Sequence, residues 1–160
     1  EEAWQSLDNE IKSVHLLEWF NDWVEVGDLE FSDEDWKEIL ELRSEVNKHI
    51  EEARNNEIIG SSLDAEIEIL CGDKLFNLLE EFNEELRFIF ITSEAKAILN
   101  KIDVSDENNK IQITVKKSSN EKCVRCWHSR PEVGIIKDNE FICKRCFENV
   151  HGEGEVRNFA

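Results

Sequence analysis

The hydrophobic positions of this chain change period along its length, from helical to alternating and then to a mixture of the two. The clearest helical stretch runs from Asp33 to Arg54. Ser32 is a good N-cap, Asp33, Glu34 and Asp35 favour the positive end of the helix dipole, and Trp36, Ile39, Leu40, Val46, Ile50 and Ala53 make one apolar stripe. Glu38, Glu41, Glu45, Lys48 and Glu52 occupy most of the remainder and read as a solvated face. Upstream, Trp4 and Leu7 stand a helical interval apart in a segment that starts with no capping residue, as if the chain entered in mid-helix. The sequence therefore reads as a fragment of something longer. Ser13 to Phe20 is apolar-rich, with Trp19, Phe20 and Trp23 close together, and Gly27 to Phe31 reads as a loop.

After Asn55-Asn56 and Gly60-Ser61-Ser62 the pattern alternates. Leu63, Ala65, Ile67 and Ile69 point one way and Asp64, Glu66 and Glu68 the other, which predicts a strand with one wet face. Gly72-Asp73 then introduces a helix with the stripe Leu75, Phe76, Leu79 and Phe82. Leu86 to Thr92 (LRFIFIT) reads as a second strand, apolar on both faces, and Glu94 to Leu99 as a short helix. Ile111, Ile113 and Val115 predict a third strand, reached through the polar, turn-like Asp103 to Asn109. The expected fold class is α+β in several parts: a helical segment over 1–60, a small α/β unit of about three strands over 61–118, and a C-terminal four-cysteine zinc knuckle or ribbon over 119–160.

Cysteine placement sharpens the last of these parts. Cys123-Val-Arg-Cys126 and Cys143-Lys-Arg-Cys146 are two CxxC pairs with 16 residues between them, while Cys71 stands alone. A CxxC turn sets two thiolates on one side of a tight loop, and two such knuckles close a tetrahedral site for one structural Zn²⁺ with no position left for a catalytic water. Pro131, Gly134 and Asp138-Asn139 are turn formers suited to the connection. Disulfides and an iron–sulfur cluster are the competing readings. The first is disfavoured because the N-terminus carries no basic region followed by an apolar run, which points to a cytoplasmic setting. Thioredoxin-like chemistry would need a CxxC at the start of a helix in a larger α/β unit, a setting that both pairs lack in the sequence. His128 is an alternative ligand; His15, His49 and His151 read as surface or packing residues, and Cys71 as a small buried apolar side chain. Nothing in the pattern suggests catalytic residues: there is no nucleophile with a base, no GxGxxG and no phosphate-binding loop.

With 37 acidic against 19 basic residues the chain has a net charge of −18, which on its face argues against a nucleic-acid partner. Resolved along the sequence, the sum divides. Lys110 to Cys146 holds nine basic and four acidic residues, a local +5, and the rest carries −23. Arg125, Lys144 and Arg145 lie inside the knuckles and Trp127 follows the first. Cations beside a flat aromatic suit a single-stranded RNA backbone and an unstacked base. The same residues also admit a packing role for Trp127 over the metal, with the cations offsetting thiolate charge.

The tail EKCVRCWHSRPEVG…ICKRCFENVHGEGEVRNFA resembles the C-terminus of bacterial isoleucyl-tRNA synthetases, in which CxRCW, a second CxRC and a terminal GxGExRxFA occur together. EEAW, LLEWF, LRSEVNKHIEEAR, IIGSSLDAEI and EELRFIFITS resemble the end of the anticodon-binding region of that family and the α/β junction after it. The resemblance implies that Cys123, Cys126, Cys143 and Cys146 hold zinc and that Arg125 and Trp127 face the anticodon. It implies a non-catalytic portion that positions isoleucine tRNA by its anticodon arm for a catalytic body outside this chain. A monomer is expected, and with no stretch approaching the ~20 apolar residues of a membrane span no membrane partner is expected. The parent enzyme attaches isoleucine using ATP, but its HIGH and KMSKS motifs have no match here. Two other readings remain: the zinc tail of a formamidopyrimidine-type DNA glycosylase, and a structural interaction module without nucleic acid.

Overall fold

The computed structural model describes residues 1–7, 12–18, 31–100 and 111–159, which cluster into two compact units, 1–32 and 33–160. In the first, a short helix α1 (Glu2–Gln5) and a 3-10 turn (Val14–Leu16) are joined through the Glu1 carboxylate, which accepts from Ser13 Oγ (2.9 Å) and the Val14 amide (3.2 Å). Trp19, Phe20, Trp23 and the Gly27 loop lie outside the described residues.

The second unit begins with α2 (Asp33–Asn55), whose buried stripe is Ile39, Leu42, Val46, Ile50 and Ala53. Leu40, expected on that stripe, is 57% exposed, and Leu42 takes its place. At 100° per residue Leu42 continues the line from Ile39 to Val46, whereas Leu40 sits well round the helix from it.

β1 (Ala65–Cys71) follows with the alternation expected of it: Ala65, Ile67, Ile69 and Cys71 are buried and the intervening Glu66, Glu68 and Leu70 are half-covered. The helix α3 (Asp73–Phe82) also lies where its pattern predicts, burying Leu75, Leu79 and Phe82. Beyond it two expectations invert. Leu86–Phe90 is a short helix, α4, and Glu94–Leu99 is the strand β2. The apolar run LRFIFIT is helical because Leu86 and Phe90, four apart, are the positions that reach the core. The turn after it is closed by bonds from the Ile91 amide to Phe88 O (3.3 Å) and from the Thr92 amide to Arg87 O (2.9 Å). This is a Schellman pattern with a left-handed Ile91 (φ 55°) in the place usually given to glycine. Glu94–Leu99, rich in helix formers, is held as a strand by pairing with β1, a case of tertiary context overriding propensity.

β3 (Gln112–Lys117) completes a three-stranded sheet of order β2-β1-β3, in which β1 runs parallel to β2 and antiparallel to β3. The chain order in this part is strand, two helices, strand, strand, rather than strict alternation. Helices α3 and α4 pack against β2, and α2 against β3 and α4, so the buried residues of β1 face one core with the helical stripes. On β1's other side Glu68 pairs with Lys116 (2.6 Å) across the strands. The expected boundaries at 60/61 and 118/119 both fall inside this second unit. Its last helix is α5 (Lys144–His151). Among the described residues no helix is long and apolar enough to cross a membrane.

Candidate metal centre and the surface around it

Two turns bring the cysteines together. In the first knuckle the Trp127 amide donates to Cys123 O (2.9 Å) and the Cys123 amide to His128 O (2.9 Å), while Lys122 and Ser129 form an antiparallel bridge that closes its base. In the second, Cys143 is the N-cap residue of α5 and Cys146 lies in the first turn. One CxxC does stand at a helix start, that of an eight-residue helix of the tail and not of a larger α/β unit, and it faces the other pair of thiols. The four Sγ atoms lie within 4.8 Å of one another, with Cys126 and Cys143 3.7 Å apart. Tetrahedral zinc at a Zn–S distance of ~2.3 Å needs sulfurs ~3.8 Å apart, so this donor set fits that ion.

The electrostatics also call for a cation. Cys123, Cys143 and Cys146 are buried and Cys126 half-buried. The bond with Cys143 pulls the Cys126 thiol well below its ordinary value, whereas Cys143 is pushed up by that contact and by burial, and Cys146 by burial. Thiols so close cannot all ionise on their own account; a bound dication removes the conflict. Donors already surround the sulfurs: the Cys143 amide points to Cys123 Sγ (3.3 Å) and Arg125 Nη1 to Cys146 Sγ (3.7 Å). His128 is not in the cluster. Its Nδ1 lies 3.2 Å from Cys126 O and its ring meets Phe88 edge-on at 6.0 Å.

The cluster supplies the buried centre of residues 119–159, packed by Cys126, Val133 and Ile142. Trp127 is no part of that small core. It is 64% exposed and adopts a left-handed backbone (φ 66°), a conformation that costs an aromatic residue of order 1 kcal/mol. Arg125 and Lys144 are exposed too, and Lys144 makes no ion pair among the described residues. Arg145 differs: its side chain is 19% exposed, bonds Glu155 (3.1 Å) and lies over the Phe88 ring at 5.3 Å.

The contacts that seat the zinc module against the sheet were not legible in the motifs. Ser93, fully buried at the entry to β2, accepts at Oγ from the Ser129 amide (2.6 Å) and donates to Leu63 O (2.5 Å). Its carbonyl accepts from Arg130 Nη1 (3.1 Å). The Ser118-Ser119-Asn120 joint, which in sequence looks free to flex, is pinned: the Ser118 amide donates to Asp64 O (2.8 Å), Ser118 Oγ to Glu66 (2.6 Å), and Lys122 pairs with Asp64. The terminal GEGEVRNF acts as a strap. Glu155 binds Arg145, Asn149 and Arg157; Arg157 lies over Phe88 at 4.0 Å; Phe159 meets Phe82 at 5.3 Å. The Glu85 carboxylate takes both the Asn158 (2.7 Å) and Phe159 (2.8 Å) amides. A cleft of about 580 Å³ runs between this strap, α5 and the α3–α4 corner. Each guanidinium in it is matched by a glutamate, so it is a dock between parts of the chain and not an anion site.

The geometry thus defines a structural zinc finger set on a small α+β unit. Residues 120–149 match the family described as a zinc finger found in FPG and IleRS, which by itself admits both a DNA-repair and a synthetase reading. The rest of the chain decides between them. All of it aligns with isoleucine–tRNA ligases: 40% identical over 166 residues to that of Shewanella sp. (strain ANA-3), 41% over 167 to that of Shewanella putrefaciens, and 38% over 169 to that of Alkalilimnicola ehrlichii. Over its whole length the chain is similar to the C-terminal region of isoleucine–tRNA ligases, and it spans 18% of the length of those relatives.

Proposed function

We propose that this chain is the tRNA-gripping end of an isoleucine–tRNA ligase, acting in the cytoplasm as a non-catalytic part that holds the anticodon arm of isoleucine tRNA. The observation that carries the reading is Trp127, a large aromatic held out in solvent at a strained backbone position on a metal-braced turn. Rigid exposed aromatics of this kind serve as platforms for unstacked bases, and local strain collects where function requires it. Arg125, two residues away on the same knuckle, and Lys144, the exposed first residue of α5, neutralise phosphates. Arg145 works indirectly, adding to the local field and anchoring the strap. Zinc supplies rigidity, since a closed set of four sulfurs leaves no position for a reacting water. Attachment of isoleucine belongs to the catalytic body of the parent enzyme, and this portion sets the tRNA for it.

The acidic remainder of the chain repels RNA, so binding by the isolated chain is weak and strongly salt-dependent. Titration of a labelled isoleucine-tRNA anticodon stem-loop at low salt tests the reading. Trp127→Ala should weaken binding by ~1–3 kcal/mol. Arg125→Ala should weaken it across sequences and flatten the salt dependence by about one phosphate contact. Equal binding by wild type and both variants would leave the finger as a structural part only, and preference for duplex DNA over the stem-loop would favour the repair reading.

A further inference from the structure

The zinc module carries a second exposed aromatic, outside the CxRCW, CxRC and GxGExRxFA motifs. Phe141 is 71% exposed, two residues before Cys143, and its carbonyl accepts the Val124 amide at 3.0 Å. That bond sets Phe141 beside the tip of the first knuckle, where Val124 is itself 62% exposed. Arg125, next to Val124, reaches the sulfur of Cys146 at 3.7 Å, and so lies over the start of α5, whose first residue is the exposed Lys144. Val124, Phe141, Arg125 and Lys144 are thereby gathered on neighbouring turns of one rigid, metal-braced scaffold. The grouping is an exposed apolar pair with two exposed cations on adjoining turns, in the stretch of sequence that carries the local +5.

Charge selects among occupants. An acidic or neutral protein groove would meet the cations but has no need of a flat ring in solvent, and a basic partner is repelled. A single-stranded nucleic-acid segment satisfies both halves, with phosphates on Arg125 and Lys144 and a base face on the ring. We propose that Phe141, supported by Val124, is a second nucleobase platform of this module, so that it takes an unstacked base in addition to the one assigned to Trp127. The proposal rests on the RNA-binding reading above and extends it to a residue and a turn which that reading does not use.

The test uses the zinc-loaded 160-residue chain and an isoleucine-tRNA anticodon stem-loop, with Trp127→Ala, Phe141→Ala and Phe141→Leu compared after their zinc contents are shown equal to wild type. Phe141 is exposed, so neither substitution removes core. Phe141→Ala should weaken binding about 5- to 150-fold, the range of one lost base–aromatic stack, and Phe141→Leu, which keeps apolar bulk without a ring, should weaken it to a similar degree. Loops carrying 2-aminopurine should show quenching that is lost in Phe141→Ala. If Trp127→Ala weakens binding and Phe141→Ala does not, the second platform is wrong while the RNA reading stands. If neither matters, both fall. Full binding by Phe141→Leu would also overturn the proposal, since the ring would then have no part in it.

Discussion

Ser93 shows how much one small side chain can hold. Its hydroxyl and carbonyl tie the start of β1, the start of β2 and the zinc module together in a site with no access to water. Ser93→Ala strips the Ser129 amide and the Leu63 carbonyl of their shared partner, and unpaired buried polar groups cost about 1–3 kcal/mol. Urea denaturation should register a loss of that order, whereas an exposed control such as Ser44→Ala should change little. Cys71 presents the opposite case, a polarisable group with nothing to do but fill space. Burial pushes its thiol up to about 11, so it is neutral at physiological pH and inert. A thiol reagent should label none of the five cysteines quickly in the zinc-loaded chain, four after chelation, and Cys71 only on unfolding. Both the clustering of Cys123, Cys126, Cys143 and Cys146 and the burial of Cys71 were legible in sequence, because spacing and an alternating strand mark them. Ser93 was not, since its role depends on three segments that meet only in the fold.

Among the elements, those with a strong period were read correctly: α2, β1, α3 and β3 lie close to where their apolar positions put them. The two that inverted, α4 and β2, are five and six residues long, too short for either period to assert itself against packing. α4 ends on Ile91 in a left-handed conformation that β-branched residues avoid, with its side chain about half exposed. Ile91→Gly should therefore stabilise the protein by about 0.5–1 kcal/mol, visible as a higher melting midpoint, and Ile91→Val should not. The strap and joint add a pH dependence. The bond and charge of Lys122 hold the Asp64 carboxyl below its ordinary range. At Glu155 burial opposes ionisation, but bonds from Arg157 and Asn149 and the charge of Arg145 outweigh it. Carboxyls lowered in the folded state contribute stability that is complete above their ordinary values and lost as pH falls through the depressed ones. Amide protection in 152–159 and at Ser118, taken relative to the intrinsic exchange rate at each pH, should thus be steady near neutrality and fall on acidification below about pH 4.

Across the second unit, stability comes from two unlike sources, and metal removal separates them. The sheet and its helices enclose an apolar core built from Ile39, Val46, Ile67, Ile69, Leu79, Phe82, Leu86 and Phe90, which needs no ion. Residues 119–159 have no such reserve. Their buried apolar centre is the cysteine cluster itself, and α5, eight residues long, buries only Cys146. A helix of that length is marginal in water without tertiary support. Chelation leaves the crowded thiols to protonate and repacks nothing in place of the ion, so the knuckles and α5 should open while β1, α2 and α3 persist. Hydrogen exchange of the chelated chain should show protection lost over 119–159 and kept over 33–100, with zinc restoring it. Global unfolding on chelation would instead mean that the Ser93, Glu85 and Asp64 contacts make the two parts one cooperative system. The same experiment bears on function, because the opened state keeps every cation of the tail. If rigidity of the aromatic platforms is what the metal provides, stem-loop binding should fall on chelation even though the zinc-free tail still carries its basic residues.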